Sequence, residues 1–247
     1  PYVNVPAGGT IAVSVGADRR GYDGPIKLTI ADLPKGIRVE GGYIPREYVD
    51  PNNARSFNRR GVLNITADAA IGPGADLSNR QLIIWGEGKL ADGSTLRRRA
   101  RGPGMVIDVA GATAQGVVDR QRPITAPWLG LDLPASVSEA GAATLEVKQT
   151  AAKRLDEGMR YEFEYTWKVR TGTPPKDVNA DVIGARDIRV VDMKPAGKSG
   201  TFAVTTTKAT DPARYDMYVS GRVKTQDGDV LIVSRPIPFE VPEGSTK

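Results

Sequence analysis

One phrase of this chain occurs twice, and that repeat constrains the fold more than any other feature. Leu82-Ile83-Ile84-Trp85-Gly86 leads through a polar stretch to Ala91-Asp92-Gly93. Met217-Tyr218-Val219-Ser220-Gly221 leads through another to Gln226-Asp227-Gly228. Gly86 aligns with Gly221, Asp92 with Asp227 and Gly93 with Gly228, all at one spacing. An apolar run, a glycine, an Asp-Gly turn and a returning run describe a β-hairpin, because Asp-Gly readily takes the positive φ angles of a tight turn. A hairpin used twice implies a structural unit used twice.

The repeat extends to both sides. Gly61-Val62-Leu63-Asn64-Ile65-Thr66 matches Gly200-Thr201-Phe202-Ala203-Val204-Thr205 upstream, and Met105-Val106-Ile107-Asp108-Val109 matches Ile237-Pro238-Phe239-Glu240-Val241 downstream. The spacing drifts by a few residues from segment to segment, as loop insertions would make it. A length of 247 residues suits two domains. The small, polar residues 110–116, followed by Pro123, Pro127 and Pro134, suggest a short, semi-rigid joint. The expected units are therefore residues 1–115 and 116–247.

Within each unit the signals are those of strands. The 28 glycines and 18 prolines punctuate the chain too often for long helices. From Met159 to Trp167 apolar and polar residues alternate without a break, the mark of a half-buried antiparallel strand. Further strands are expected near residues 10–15, 25–30, 37–39, 62–67, 81–86, 95–100, 105–109, 143–149 and 187–193. Residues 45–58 have no period and read as a long loop. About seven short strands per hundred residues point to an all-β chain of two tandem immunoglobulin-like antiparallel β-sandwich domains.

The strings GYDGPIKLTIADLPKGIRV, GVLNITA, GEGKLADGS and YDMYVSGRVKTQDGDVLIVSRPIPFEV resemble the repeated immunoglobulin-like modules of large secreted and cell-surface bacterial proteins, modules often found beside pre-peptidase C-terminal domains. The resemblance covers most of the chain. It rests on turn and core residues, so it implies a fold and a secreted, periplasmic or cell-surface setting, and transfers no active-site residue.

Function classes are narrowed by what is missing. The chain has no cysteine and no histidine. That removes Ser-His-Asp and Cys-His catalysis, thiolate metal sites and disulfides. No spaced-acid calcium loop is present; Asp92-Gly93 and Asp227-Gly228-Asp229 read as turns, and Asp119 and Asp132 are scattered acids near the joint. No apolar run is long enough to cross a bilayer as a helix. The net charge of +5 is modest and mixed with acids, and no nucleic-acid motif accompanies it. The expectation is a protein without catalytic residues, cofactor or metal, with no nucleic-acid partner and no membrane insertion.

Most of the positive excess lies in residues 1–115, and so do the binding candidates. On a strand, Arg97, Arg99 and Arg101 point the same way and could grip an oxyanion bidentately; the alternative is a solvated edge kept from pairing by its charge. Residues 43–58 mix Tyr43, Arg46, Tyr48, Arg55 and Phe57 in the manner of a recognition loop, or simply cover the edge of the core. Trp128, after Pro127, packs the two units together or offers a stacking surface, whereas Trp167 belongs to a core strand. The leading expectation is a structural or interaction module for spacing, assembly or adhesion, whose partners are other domains or chains of an extracellular assembly. The alternatives are binding of carbohydrate or anionic polysaccharide and, behind it, a carboxylate-based hydrolase accessory region.

Overall fold

Alternating apolar side chains make the chain pair into sheets, and every regular element is a strand. The computed structural model describes residues 3–49, 51–52, 56–72, 81–100, 133–182 and 187–243, and among these there is no helix. In the first half run β1 (Val3–Pro6), β2 (Thr10–Gly16), β3 (Ile26–Ile30), β4 (Ile37–Gly41), β5 (Tyr43–Ile44), β6 (Tyr48–Val49), β7 (Ser56–Phe57), β8 (Arg60–Ala67), β9 (Gln81–Leu82), β10 (Ile84–Lys89) and β11 (Thr95–Arg99). Then come β12 (Leu133–Ser138), β13 (Ala143–Leu155), β14 (Gly158–Val169), β15 (Val178–Val182), β16 (Ile188–Ala196), β17 (Ser199–Thr206), β18 (Ala213–Thr225), β19 (Gly228–Val233) and β20 (Ile237–Val241). The strand expected at residues 105–109 lies outside the described residues.

Two sets of sheets carry the same pairing pattern. In one, β8 lies between β2 and β4, and β10 lies between β3 and β11, with β5 beyond β3. In the other, β17 lies between β14 and β16, and β18 lies between β15 and β19, with β13 beyond β14 and β20 also on β18. All of these pairings are antiparallel. The correspondence holds residue by residue. Gly86 sits between Leu28 and Arg98, and Gly221 between Val178 and Ile232. Arg38 faces Thr66 as Arg189 faces Thr205, so Ile37-Arg38-Val39 and Ile188-Arg189-Val190 occupy corresponding places in the two sets of sheets.

The repeated glycine has a packing reason in the second half. A Cβ on Gly221 would meet the Trp167 ring at 2.8 Å and Pro175 at 2.9 Å, so only a bare backbone lets that ring lie flat against the strand. The hairpin turns, by contrast, differ. Thr225 pairs with Gly228 across a two-residue loop, whereas Lys89 pairs with Thr95 across a longer one. Gly93 there takes φ +83, and Asp92 accepts hydrogen bonds from the N–H and hydroxyl of Ser94 at 2.9 and 2.6 Å.

Two strands are buried on both faces, and they join the halves. Along β8, Leu63 and Ile65 face the first-half cores, while Val62 packs on Tyr218 and Val233 of the second half. Asn64, fully buried, donates from Nδ2 to the Ser234 carbonyl at 2.7 Å. Along β18, Tyr215, Met217 and Val219 face the second-half core, and Asp216 on the opposite face accepts from the Tyr43 N–H at 3.3 Å. A further sheet ties β1 to β12 in parallel and β12 to β9 antiparallel. Residues 133–138, which the sequence groups with the second unit, thus pair with strands of the first, and Ala135 and Val137 pack there with Val3, Val5 and Ile37. The run 81–86, expected as one strand, is two. It changes sheets at Ile83, with Leu82 entering one core cluster and Ile84 another.

Candidate binding face

Cross-strand register decides which side chains share a face, and it gathers several of the expected binding residues. Trp85 lies opposite Arg99 and Thr29, Glu87 opposite Arg97 and Lys27, and Lys27 opposite Tyr43. Leu28, Ile44 and Ile84 occupy the alternate positions and fill the core. Lys27, Tyr43, Trp85, Glu87, Arg97 and Arg99 therefore stand on the outer face of the β5-β3-β10-β11 sheet. Arg97 is exposed; Trp85, Arg99 and Tyr43 are half-buried.

Two contacts orient Arg97. Its Nε lies 3.1 Å from Glu87 Oε1, and its guanidinium carbon sits 4.2 Å above the centre of the Trp85 ring. The ring quadrupole and the carboxylate hold the guanidinium over the Trp85 ring. Across the junction, Arg214 extends the positive charge toward Tyr43. Its charge favours the Tyr43 phenolate, but burial is the larger effect and raises that pKa.

The segment expected as an irregular loop over residues 43–58 is more ordered than that reading. Tyr43 belongs to β5 and pairs with Lys27. Beyond it, β6 and β7 form a two-stranded ribbon in which Tyr48 faces Phe57 and Val49 faces Ser56. Arg19 holds its root. One terminal amino group donates to the carbonyls of Pro45 and of Asn58, the latter at 2.9 Å, and the other donates to Gly24 at 2.5 Å. Asn58, with φ 58, returns a bond from Nδ2 to the Arg46 carbonyl at 2.8 Å. Burial lowers the pKa of Arg19, with Glu47 opposing. Arg46 pairs with Asp23 at 2.6 Å, and this hydrogen bond lowers the Asp23 pKa. Val49 at the ribbon is about half exposed, unusual for so apolar a side chain.

Arg97, Arg99 and Tyr43 thus come together on one face, whereas Tyr48 and Phe57 stand on the ribbon and Arg46 in the connection before it. Arg55, Arg101 and Trp128 lie outside the described residues, as do Asp119 and Asp132. Trp167 is buried in the second-half core. Sequence reading missed Lys27, Arg19 and Arg214. The first could have been found by extending the Asp-Gly register one strand further. Arg19 and Arg214 carry no periodic signal, because their positions are set by long-range contacts.

Other chemistry has less to build on. Among the described residues no three acidic side chains converge to hold a metal ion. A cleft of about 740 Å³ lies where the halves meet, bordered by Thr10, Arg38, Thr66, Glu146, Lys168 and Arg235. Its charges close on one another or on neighbours: Arg38 on Asp68 at 2.9 Å, Lys168 on Glu146 at 2.5 Å, Arg235 on Glu40 at 3.5 Å. Neither a family model nor a curated protein matches the sequence.

Proposed function

We propose that the chain is a non-catalytic structural and interaction module of an exported bacterial protein, built of two tandem immunoglobulin-like β-sandwich units. The duplicated pairing pattern is the observation that carries this reading. The orders β13-β14-β17-β16 and β15-β18-β19 have the four-plus-three connectivity of a constant-type immunoglobulin domain. Phe163, Trp167 and Val204 of one sheet share a buried cluster with Tyr215, Met217 and Val223 of the other, as the inner faces of a sandwich do. The first half repeats most of the pattern, with β5 added beside β3 and, among the described residues, no strand paired beyond β2.

Joining the halves through buried Val62, Asn64, Asp216 and Tyr218 favours a rigid spacer or assembly element over two beads on a string. The charged outer positions of the β5-β3-β10-β11 sheet suit contact with another domain or chain of an extracellular assembly. The exported setting follows from the resemblance to modules of secreted bacterial proteins. Hydrogen exchange tests the rigid-module reading. The amides of Tyr43 and Val219, which bond across or beside the junction, should exchange as slowly as those of the two cores. Fast exchange there, with both cores protected, would replace the rigid module by two independent domains. Turnover of a glycoside or peptide substrate that disappears on changing one carboxylate would overturn the non-catalytic reading.

A further inference from the structure

Two strand edges of the second half end at the cleft where the halves meet. Among the described residues, β13 is the last strand of the order β13-β14-β17-β16, and β19 the last of β15-β18-β19. Residues 143–147 of β13 and 230–233 of β19 line the cleft in unbroken runs. A strand met face-on shows alternate residues, so an unbroken run is a strand met along its backbone.

The ladder gives the direction of each backbone group. The Arg170 N–H donates to the Ala142 carbonyl at 2.8 Å, and the Trp167 N–H to the Lys198 carbonyl at 2.7 Å. Antiparallel pairs alternate between hydrogen-bonded and non-hydrogen-bonded. Thr144 with Lys168 and Glu146 with Thr166 are therefore bonded pairs, and Ala143, Leu145 and Val147 turn their N–H and C=O groups away from β14 toward the edge. On β19 the Ser234 N–H donates to the Val219 carbonyl at 2.8 Å, which turns the backbone groups of Leu231 and Val233 outward in the same way. Ala143 and Leu145 are buried, so backbone groups left without a protein partner there are costly.

The side chains at the cleft leave the backbone as its chief offer. Arg38, Lys168 and Arg235 are held by carboxylates, and the hydroxyls of Thr10 and Thr66 bond each other at 2.9 Å. No aromatic ring is among the lining residues to stack on a sugar. Val147 packs against the second-half core, and Val230, opposite the buried Val223, is 39% exposed at the mouth of that core. Apolar surface between two strand edges is what an incoming β-strand covers: its main chain bonds one edge, and every second side chain turns inward. A second copy of this chain fits less well, because its own β13 edge lies in the same recess, walled by residues 66–69 of the first half.

We propose that this cleft binds an extended, uncharged peptide segment of a partner protein, which adds to β13 as a further strand. Its main chain bonds Ala143, Leu145 and Val147, and an apolar side chain covers Val147 and Val230. The run 143–147 is about 17 Å long when extended, and the cleft of about 740 Å³ lies along it. The proposal rests on the reading of the chain as an interaction module. It fails separately from the rigid-module part of that reading, which exchange at the Tyr43 and Val219 amides tests without any peptide.

The experiment is NMR-detected hydrogen exchange of the full chain, with and without the end-blocked peptide Thr-Val-Thr-Val-Thr-Val-Thr. Main-chain recognition is tolerant of sequence, so this probe suffices. Saturating peptide should slow exchange at Ala143, Leu145 and Val147 and leave Thr144 and Glu146, already bonded to β14, unchanged. The same peptide N-methylated at every residue has no main-chain N–H and should not bind. Val230→Lys should bind the peptide about tenfold or more weakly, because the bound strand would bury the ammonium. Leu155→Lys, at a similarly exposed apolar position at the far end of β13, should bind like wild type. Both variants should melt like wild type, as exposed substitutions do. No binding of the peptide, even protection across 143–147, protection at Leu231 and Val233 alone, equal binding of the N-methylated peptide, or equal losses in the two lysine variants would each overturn the proposal. Protection of the same three amides that grows with protein concentration without peptide would also overturn it, by assigning the edge to a second copy.

Discussion

The second half is built on one aromatic core and the first on two aliphatic ones, although their central strands pair in corresponding orders. In the second, Tyr161, Phe163, Tyr165, Trp167 and Phe202 fill a single cluster, with Phe163 and Phe202 stacked at 5.1 Å. In the first, Leu28, Ile44, Leu63 and Ile84 form one small cluster, and Val3, Val5, Ile37, Ile65 and Leu82 form another. The second cluster is completed by Ala135 and Val137 of β12, contributed from beyond the joint. Large rings bury enough area for the second half to fill its core from its own strands. Smaller aliphatic side chains leave more edge to cover, and the first half covers it with β1, β9 and β12.

The difference can be broken most sharply at Trp167. Trp167→Ala removes the largest fully buried side chain among the described residues and should cost about 3–5 kcal/mol. Hydrogen exchange should then rise first in β14, β17 and β18; equal loosening of both halves would mean that the cores are not separable. Val137→Ala should cost about 2 kcal/mol, from two buried methyl groups and the cavity they leave. Its effect should appear in β1 and β9, far back in the sequence, and exchange confined to residues after 138 would contradict the assignment of β12 to the first-half core.

The junction gives smaller effects. Asn64→Ala leaves the buried Ser234 carbonyl without its donor and should cost about 1–2 kcal/mol, within the range for an unsatisfied buried group. Denaturant melts of this variant should stay cooperative or split into two steps; a melt superimposable on wild type would remove Asn64 from the junction energetics.

Asp216 is the smallest lever and the one that depends on pH. Burial raises its pKa, and the opposing pull of Arg214 and of the Tyr43 and Gly42 N–H groups is weaker. A carboxyl whose folded pKa exceeds its unfolded one disfavours the native state when ionised. That cost is present above the folded pKa and is relieved as the pH falls through it toward the ordinary carboxylate range. Asp216→Asn keeps an oxygen acceptor for both N–H groups and removes the charge. It should raise the melting temperature near neutral pH, by an amount that shrinks on acidification. A difference that is constant with pH, or that grows as the pH falls, would show that Asp216 is not held above its usual range.

Much of this was legible in the sequence, and for local reasons. Period-two alternation over residues 159–167, Gly86 and Gly221 at matching places, and the Asp-Gly turns determine strands and two hairpins, because each depends on neighbours a few residues apart. The same alternation shows that Arg97 and Arg99 share a face. The identity of Ile37-Arg38-Val39 with Ile188-Arg189-Val190 was also present, but it is too short to stand out until pairing puts the two segments in register.

Tertiary structure alone decided the rest. Nothing local in Asn64 or Asp216 says that a polar residue on an outward position will be buried; that follows from one half covering the other. The run 82–85 is uniformly apolar, so its change of sheet at Ile83 leaves no mark in the pattern. Arg19 reads as one charge among many until Gly24, Pro45 and Asn58 turn their carbonyls to it. Whether a sheet face is open or closed depends on what packs against it from far along the chain. For that reason Val62, Tyr218, Leu231 and Val233 form a junction that no pattern within their own strands announces.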